Sequence, residues 1–363
     1  MPSSTTSDPS GLPAELDLRS LRRRALQVIA ILGGVGLAAL LMPGLGELRS
    51  KLADAAWGWL ALAVVLEALS GMSYVLMFRP VFCRLMSFRS AMEISWSELG
   101  MGSLVPASGI GGLALGAWVL TRDGMTPEHV AERSVAFFLL KSSVNFVAVA
   151  ILGVVMFAGV GPHESVLLTL LPAAMSVLLI AAVLGIPRLG PGAEPGPGAG
   201  RVRRGVSRGR AVLIDGVAAA ITIARRRDPL LLLGAFGYWA FDNAVLWATL
   251  HAFHVSVPLT VVLMGYLIGQ LGGLLPIPGG VGGIDGGLIG TLVVYGAPAA
   301  GTAAAVLAYR VVLFWLPLLA GAVAFVSLKR AIDHPGRPDL CREATTPRTA
   351  APAAAATSAG SSA

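Results

Sequence analysis

Two cations lie inside apolar runs of this chain, and each follows a glycine-rich break at nearly the same distance. Arg310 comes 27 residues after Gly283 (310 − 283), and Lys141 comes 29 after Gly112 (141 − 112). The second break reads Pro276-Ile277-Pro278-Gly279-Gly280-Val281-Gly282-Gly283-Ile284-Asp285-Gly286-Gly287; the first is a shorter echo, Pro106-Ala107-Ser108-Gly109-Ile110-Gly111-Gly112. Broken backbone at bilayer depth is tolerated only where the freed N–H and C=O groups meet protein or line a wet cavity. An arginine or lysine there needs an anion, a cavity or a partner. The chemistry this suits is anion binding, with a phosphate held by a guanidinium or ammonium and by helix N-termini that carry partial positive charge. The candidate binding set is Arg310, Asp285, Pro278, Gly279, Gly280, Gly282 and Gly283, with Lys141, Pro106 and Gly109 from the first half.

Asp285 has two readings. It either locks the broken segment to the next helix as a structural partner of Arg310 or takes part in substrate handling, and both can hold at different points of a cycle. Lys141 is long enough to snorkel toward an aqueous edge. Glu98, Asp242 and Glu67 also fall within apolar stretches. They are candidates to carry a coupling proton, since removal from water penalises the charged carboxylate; helix-to-helix hydrogen bonding is the commoner use of such groups, as of Asn145 and Asn243. His251 and His254 read as polar residues at a helix end.

The elements that must position these side chains follow from composition. Hydrophobic residues make up 55% of the 363 and charged ones 13%, and mean hydropathy is +0.76, outside the range of ordinary soluble domains. Helices are expected near 26–42, 57–78, 134–160, 166–186, 229–251, 258–276 and 299–328, each close to the roughly 20 residues a bilayer requires. The expected fold is all-α: a polytopic membrane protein with about seven full transmembrane helices and two re-entrant broken-helix segments in an inverted repeat. If the last helix begins near residue 299, Arg310 lies 11 residues in, about 16 Å along the axis and near the middle of a core of about 30 Å.

The net charge of +7 comes from basic residues beside apolar runs, which is a topology signal and not a nucleic-acid surface. Arg79, Arg84 and Arg89, then Arg122 and Arg133, then Arg188, Arg201, Arg203, Arg204, Arg208, Arg210, Arg225, Arg226 and Arg227, and finally Lys329 and Arg330, are expected in the cytoplasm. The count closes if 91–120 dips in from the cytoplasm and 258–297 dips in from outside. This predicts a disordered cytoplasmic N-terminus over 1–24, a first transmembrane half over 25–186 with its re-entrant segment at 91–120, and a cytoplasmic Arg/Gly/Pro-rich linker over 187–228 with a mildly amphipathic stretch at 211–224. A second half follows over 229–330, with its re-entrant segment at 276–297, and then a disordered tail over 331–363. Both termini are expected on the cytoplasmic side of the cell membrane. The run at 26–42 lacks a small-x-small cleavage pattern and reads as a retained helix.

Catalytic signatures are missing from the sequence: no G-x-S-x-G, no H-E-x-x-H and no phosphate loop. Cys83 and Cys341 show neither metal-ligand spacing nor a disulfide framework. No metal and no cofactor are expected, and an enzymatic role is disfavoured without being excluded.

The run Pro278 to Gly290, followed by Tyr309-Arg310 and Trp315-Leu316-Pro317, resembles the signature of the lysylphosphatidylglycerol synthase transmembrane family, also called the flippase-like domain family. Pro106 to Gly112 with Gly124-Met125-Thr126 is similar to that family's first block, and the resemblance spans about 25–330. It implies lipid movement between leaflets and adds Tyr309 to the binding set. Family members often carry Glu at the position of Asp285, one methylene longer. In two-part members a soluble domain performs aminoacyl transfer; here a low-complexity stretch follows Arg330, so that synthase activity is expected to be absent. The leading expectation is a flippase or transporter for an anionic, aminoacylated or polyprenyl-linked lipid. The alternative is an accessory or enzymatic component of glycolipid or lipid-linked sugar assembly, working with a lipid-modifying enzyme or glycosyltransferase.

Overall fold

A computed structural model describes residues 50, 54–104, 110–160, 166–190, 200–271 and 283–332. The expected helix at 26–42, both tails apart from 331–332, and the loop residues Pro106, Gly109, Pro278, Gly279, Gly280 and Gly282 lie outside these.

Among the described residues the regular structure is helical. The first half contains α1 (Trp57–Phe82), α2 (Phe88–Leu104), α3 (Ile110–Arg122), α4 (Pro127–Phe157) and α5 (Val166–Gly185). A basic helix, α6 (Arg201–Arg225), leads to the second half, α7 (Pro229–Ala252), α8 (Leu259–Leu271), α9 (Gly283–Val294) and α10 (Ala299–Ile332). The order in α1–α4 recurs in α7–α10: one spanning-length helix, two short helices packed on each other, then the longest helix of the half.

Local chemistry sets the starts of these helices. Pro127 opens α4 behind Thr126, whose hydroxyl accepts from the His129 N–H, and Pro229 opens α7 behind Asp228, which accepts from the Leu230 N–H at 3.0 Å. Proline costs nothing at a first helical position, where its missing N–H would have no partner. The long helices are apolar all round, as suits segments between protein and lipid. Lipid-side residues such as Leu178, Val154 and Val323 are exposed.

Five described helices are long and apolar enough to cross a membrane: Trp57–Phe82, Pro127–Phe157, Thr169–Leu189, Pro229–Ala252 and Ala299–Ala331. The expected span at 258–276 is not among them. Its described helix, Leu259–Leu271, has 13 residues, about 20 Å at 1.5 Å per residue, and the rest of that stretch lies outside the described residues. The segment expected as a linker is helical from Arg201 to Arg225 and packs against α4 through Ile214, Val217, Ala220 and Ile223. Cys83 is buried and disulfide-bonded, which corrects the reading that the cysteines offer no disulfide framework.

α1 and α7, the corresponding first helices of the two halves, form the most extensive contact and run antiparallel. The Ala56 N–H donates to the Ala252 carbonyl near one end, Ser70 Oγ donates to the Tyr238 carbonyl near the middle, and Gly234 lies against Met77 and Ser73 toward the other end. A Cβ on Gly234 would come within 2.6 Å of Met77 Cγ, so only glycine allows this approach, the usual device where membrane helices touch. α2 likewise runs antiparallel to α10. Ser327 Oγ donates to Glu93 Oε1 at 2.8 Å, and Gly321 abuts Gly100.

These contacts sort the ends of the bundle. Arg84 pairs with Asp228, Arg133 donates to the Val81 carbonyl, and Glu93 meets Ser327 just before Lys329 and Arg330, so the arginines grouped by the sequence share one basic end. The α2–α3 hairpin starts and finishes there. The α8–α9 hairpin starts and finishes at the other end, where Gly301 packs on Val255. The hairpins therefore open in opposite directions.

Candidate functional site

Arg310 lies in the fourth turn of α10, and its Nε donates to Oδ1 of Asp285 in the first turn of α9. The aspartate sits where a helix N-terminus favours negative charge. The side chains of the pair are 22% and 17% exposed, so they are screened by water far less than a surface pair. Arg310 Nη2 is buried and has no hydrogen-bond partner among the described residues. Gly283 begins α9.

Tyr309, the neighbour of Arg310, reaches α7. Its hydroxyl donates to Asp242 Oδ1 at 2.9 Å, and Tyr266 of α8 donates to Asp242 Oδ2 at 2.5 Å. Both oxygens of one buried carboxyl are thus capped by tyrosines from different helices. Asp242 is also within electrostatic reach of Arg310, Lys141 and Glu67.

The first half supplies a matching group. Tyr74 of α1 donates to Glu98 Oε2 of α2 at 2.8 Å. Lys141 Nζ of α4 lies 5.6 Å from the Tyr74 ring centroid and 5.3 Å from that of Tyr238 on α7, within cation–π range. Lys141 also lies within electrostatic reach of Glu98. Glu98 is 2% exposed, and its Oε1 has no hydrogen-bond partner among the described residues. Gly116 of α3 makes room for it, since a Cβ there would fall 1.6 Å from that oxygen.

Arg310, Asp285, Tyr309, Asp242, Glu67, Lys141 and Glu98, singled out separately in the sequence, therefore form one buried polar cluster fed by both halves. Asn243 of α7 turns instead to its own helix, donating to the Trp239 carbonyl at 2.8 Å. Tyr74, Tyr238 and Tyr266 were not anticipated. Four of the chain's five tyrosines belong to this cluster, and their mid-helix positions were a usable signal, because tyrosine in membrane helices otherwise concentrates at the bilayer edges.

The charge inventory is unequal. Among the described residues four carboxyls, Glu67, Glu98, Asp242 and Asp285, meet two cations, Lys141 and Arg310. Carboxylates in excess of cations are costly in a low-dielectric interior. Among the described residues no three His, Cys, Asp or Glu side chains are arranged to hold a metal.

A family model described as the lysylphosphatidylglycerol synthase TM region matches residues 27–321. No curated protein matches the chain.

Proposed function

The chain belongs to the lysylphosphatidylglycerol synthase TM region family, and on that premise we propose that it moves a lipid between leaflets. The observation that carries this reading is the convergence of Arg310, Lys141 and their carboxyl partners from two halves whose hairpins open in opposite directions. In the proposed cycle an anionic headgroup enters between the halves. Its phosphate takes Arg310 from Asp285 and engages Lys141, with the N-terminus of α9 adding partial positive charge. The two hairpins act as re-entrant gates, one facing each side of the cell membrane, and open alternately. The basic end of the bundle, with both chain termini, faces the cytoplasm.

Displacing Arg310 leaves Asp285 uncompensated beside an existing carboxyl excess. Proton uptake on Glu67, Glu98 or Asp242 restores balance and couples headgroup movement to a proton gradient. An amine on the headgroup would serve the same purpose, which accommodates an aminoacylated lipid.

The test is a leaflet-resolved assay in proteoliposomes with fluorescent phosphatidylglycerol, comparing Arg310→Ala and Arg310→Lys with the wild type. Arg310→Ala is expected to slow translocation about tenfold or more, the scale of losing one desolvated charged contact, with partial recovery in Arg310→Lys. Equal rates in all three proteins would remove Arg310 from the mechanism.

A further inference from the structure

A second basic feature lies away from the buried cluster. A groove of about 740 Å³ runs between α2 and α10, with Arg89 on one side and Val323, Val326, Ser327 and Arg330 on the other. Arg330 is 20 residues beyond Arg310 (330 − 310), about 30 Å along α10, so the groove sits at the edge of the membrane.

Its lining is two-sided in chemistry. Arg89 and Arg330 are exposed guanidiniums. Val323 and Val326 are exposed at 73% and 48%, and Leu319, one turn further toward the bilayer centre, at 59%. The spacing 319, 323, 326 puts these apolar side chains on one helix face. Glu93 fixes the polar end, since its Oε1 accepts from Arg89 Nε at 3.1 Å and from Ser327 Oγ at 2.8 Å. The bond to Glu93 engages only Nε, leaving the forked Nη amines, the geometry that suits a phosphate, for another partner. Above the groove the α2–α10 seam is closed, because Gly321 Cα touches Gly100 and leaves no room for a side chain. Glu98 of the buried cluster is on α2 beside that contact.

We propose that this groove is a loading site for an anionic phospholipid, its phosphate between Arg89 and Arg330 and an acyl chain along Val326, Val323 and Leu319, at the foot of a seam whose parting at Gly100 and Gly321 leads to Glu98 and Arg310. Positive charge at one end and an apolar stripe continuing into a membrane-spanning helix match the two ends of a lipid, and match no soluble anion. The loading role rests on the translocation reading above; the binding site does not.

The experiment places a photo-cross-linking residue at Val323 in the full-length protein, reconstituted in nanodiscs of phosphatidylcholine and phosphatidylglycerol, with a control probe at Leu178 on α5. The Val323 probe is expected to capture phosphatidylglycerol preferentially. Arg89→Gln with Arg330→Gln should cut that adduct about tenfold, as expected for removing two cationic contacts to an anionic headgroup, and leave the Leu178 adduct unchanged. Arg330→Glu alone, a change at one exposed position, should move it in the same direction. Equal capture of both lipids, an adduct indifferent to these variants, or a cross-link to the protein's own chain or to a second copy would overturn the proposal. Retained capture in a protein that does not translocate lipid would sink the flippase reading and leave the site standing; lost capture with intact translocation would do the reverse.

Discussion

The ammonium of Lys141, on α4, lies 5.3 Å from the ring centroid of Tyr238, on α7, so the buried cation of the first half rests on an aromatic face supplied by the second. The contact ties together two elements almost a hundred residues apart and predicts energetic coupling. Tyr238→Leu should lower stability by about 0.5–2 kcal/mol, the range of a cation–π contact. Lys141→Met should cost more, because it strands Glu98 and Asp242. In a double-mutant cycle followed by thermal unfolding in detergent, the combined variant should lose less than the sum of the two; strict additivity would mean that the contact carries no energy.

Asp285 holds Arg310, so its removal should act in opposite directions on stability and on anion affinity. Breaking a fully buried ion pair costs roughly 3–5 kcal/mol, and this pair, about one-fifth exposed, should fall at or below the lower end. Asp285→Asn is therefore expected to lower the melting temperature while tightening binding of phosphatidylglycerol in a native mass-spectrometry titration. Asp285→Glu should preserve both properties. A destabilised Asp285→Asn protein with unchanged lipid binding would make the pair a structural lock only.

The two tyrosines on Asp242 should behave as one unit. Each donates to a different oxygen of the same carboxyl, and a hydrogen bond to a charged group contributes about 1.5–3 kcal/mol. Tyr266→Phe and Tyr309→Phe should each destabilise within that range and also raise amide exchange around Asp242. Unchanged stability and exchange in both variants would mean that the two caps carry no energy.

The seam between α2 and α10 gives a prediction with a built-in control. A Cβ at Gly321 would lie 2.5 Å from the Trp96 carbonyl and 2.7 Å from Gly100 Cα, whereas one at Gly102 meets nothing within 4 Å. Gly321→Ala should cost about 1–3 kcal/mol through overpacking. Gly102→Ala should be neutral or slightly stabilising, since alanine is the better helix former. Similar effects at the two positions would show that the helices are not in close contact in the membrane.

Much of this organisation was legible in the chain, because lipid imposes simple rules. Uninterrupted apolar runs become helices, so 57–78 and 229–251 were located to within a few residues at most. Arginines beside those runs gather at one end of the described bundle, as Arg84, Arg133 and Arg330 do. The near-equal spacings to Lys141 and Arg310 anticipated the repeated order of elements. The expected span at 258–276 runs past the described residues, which stop at Leu271. The helix over Arg201–Arg225 was underestimated because its glycines and arginines mask a stripe that only contact with α4 makes continuous. The tyrosine caps on Asp242 were missed for a different reason: hydrogen bonds between residues 24 and 67 positions apart leave no local pattern.

The antiparallel pairing of α1 with α7 also sets a schedule for making the protein. Ser70 meets Tyr238 across 168 residues, and at synthesis rates of roughly 5–20 residues per second α1 is inserted roughly 8–34 s before its partner exists. Through that interval the face of α1 that will receive Gly234 and Gly237 has only lipid or the insertion machinery against it. The first half is thus born as an open half-interface, and translation of α7 is the step that closes it.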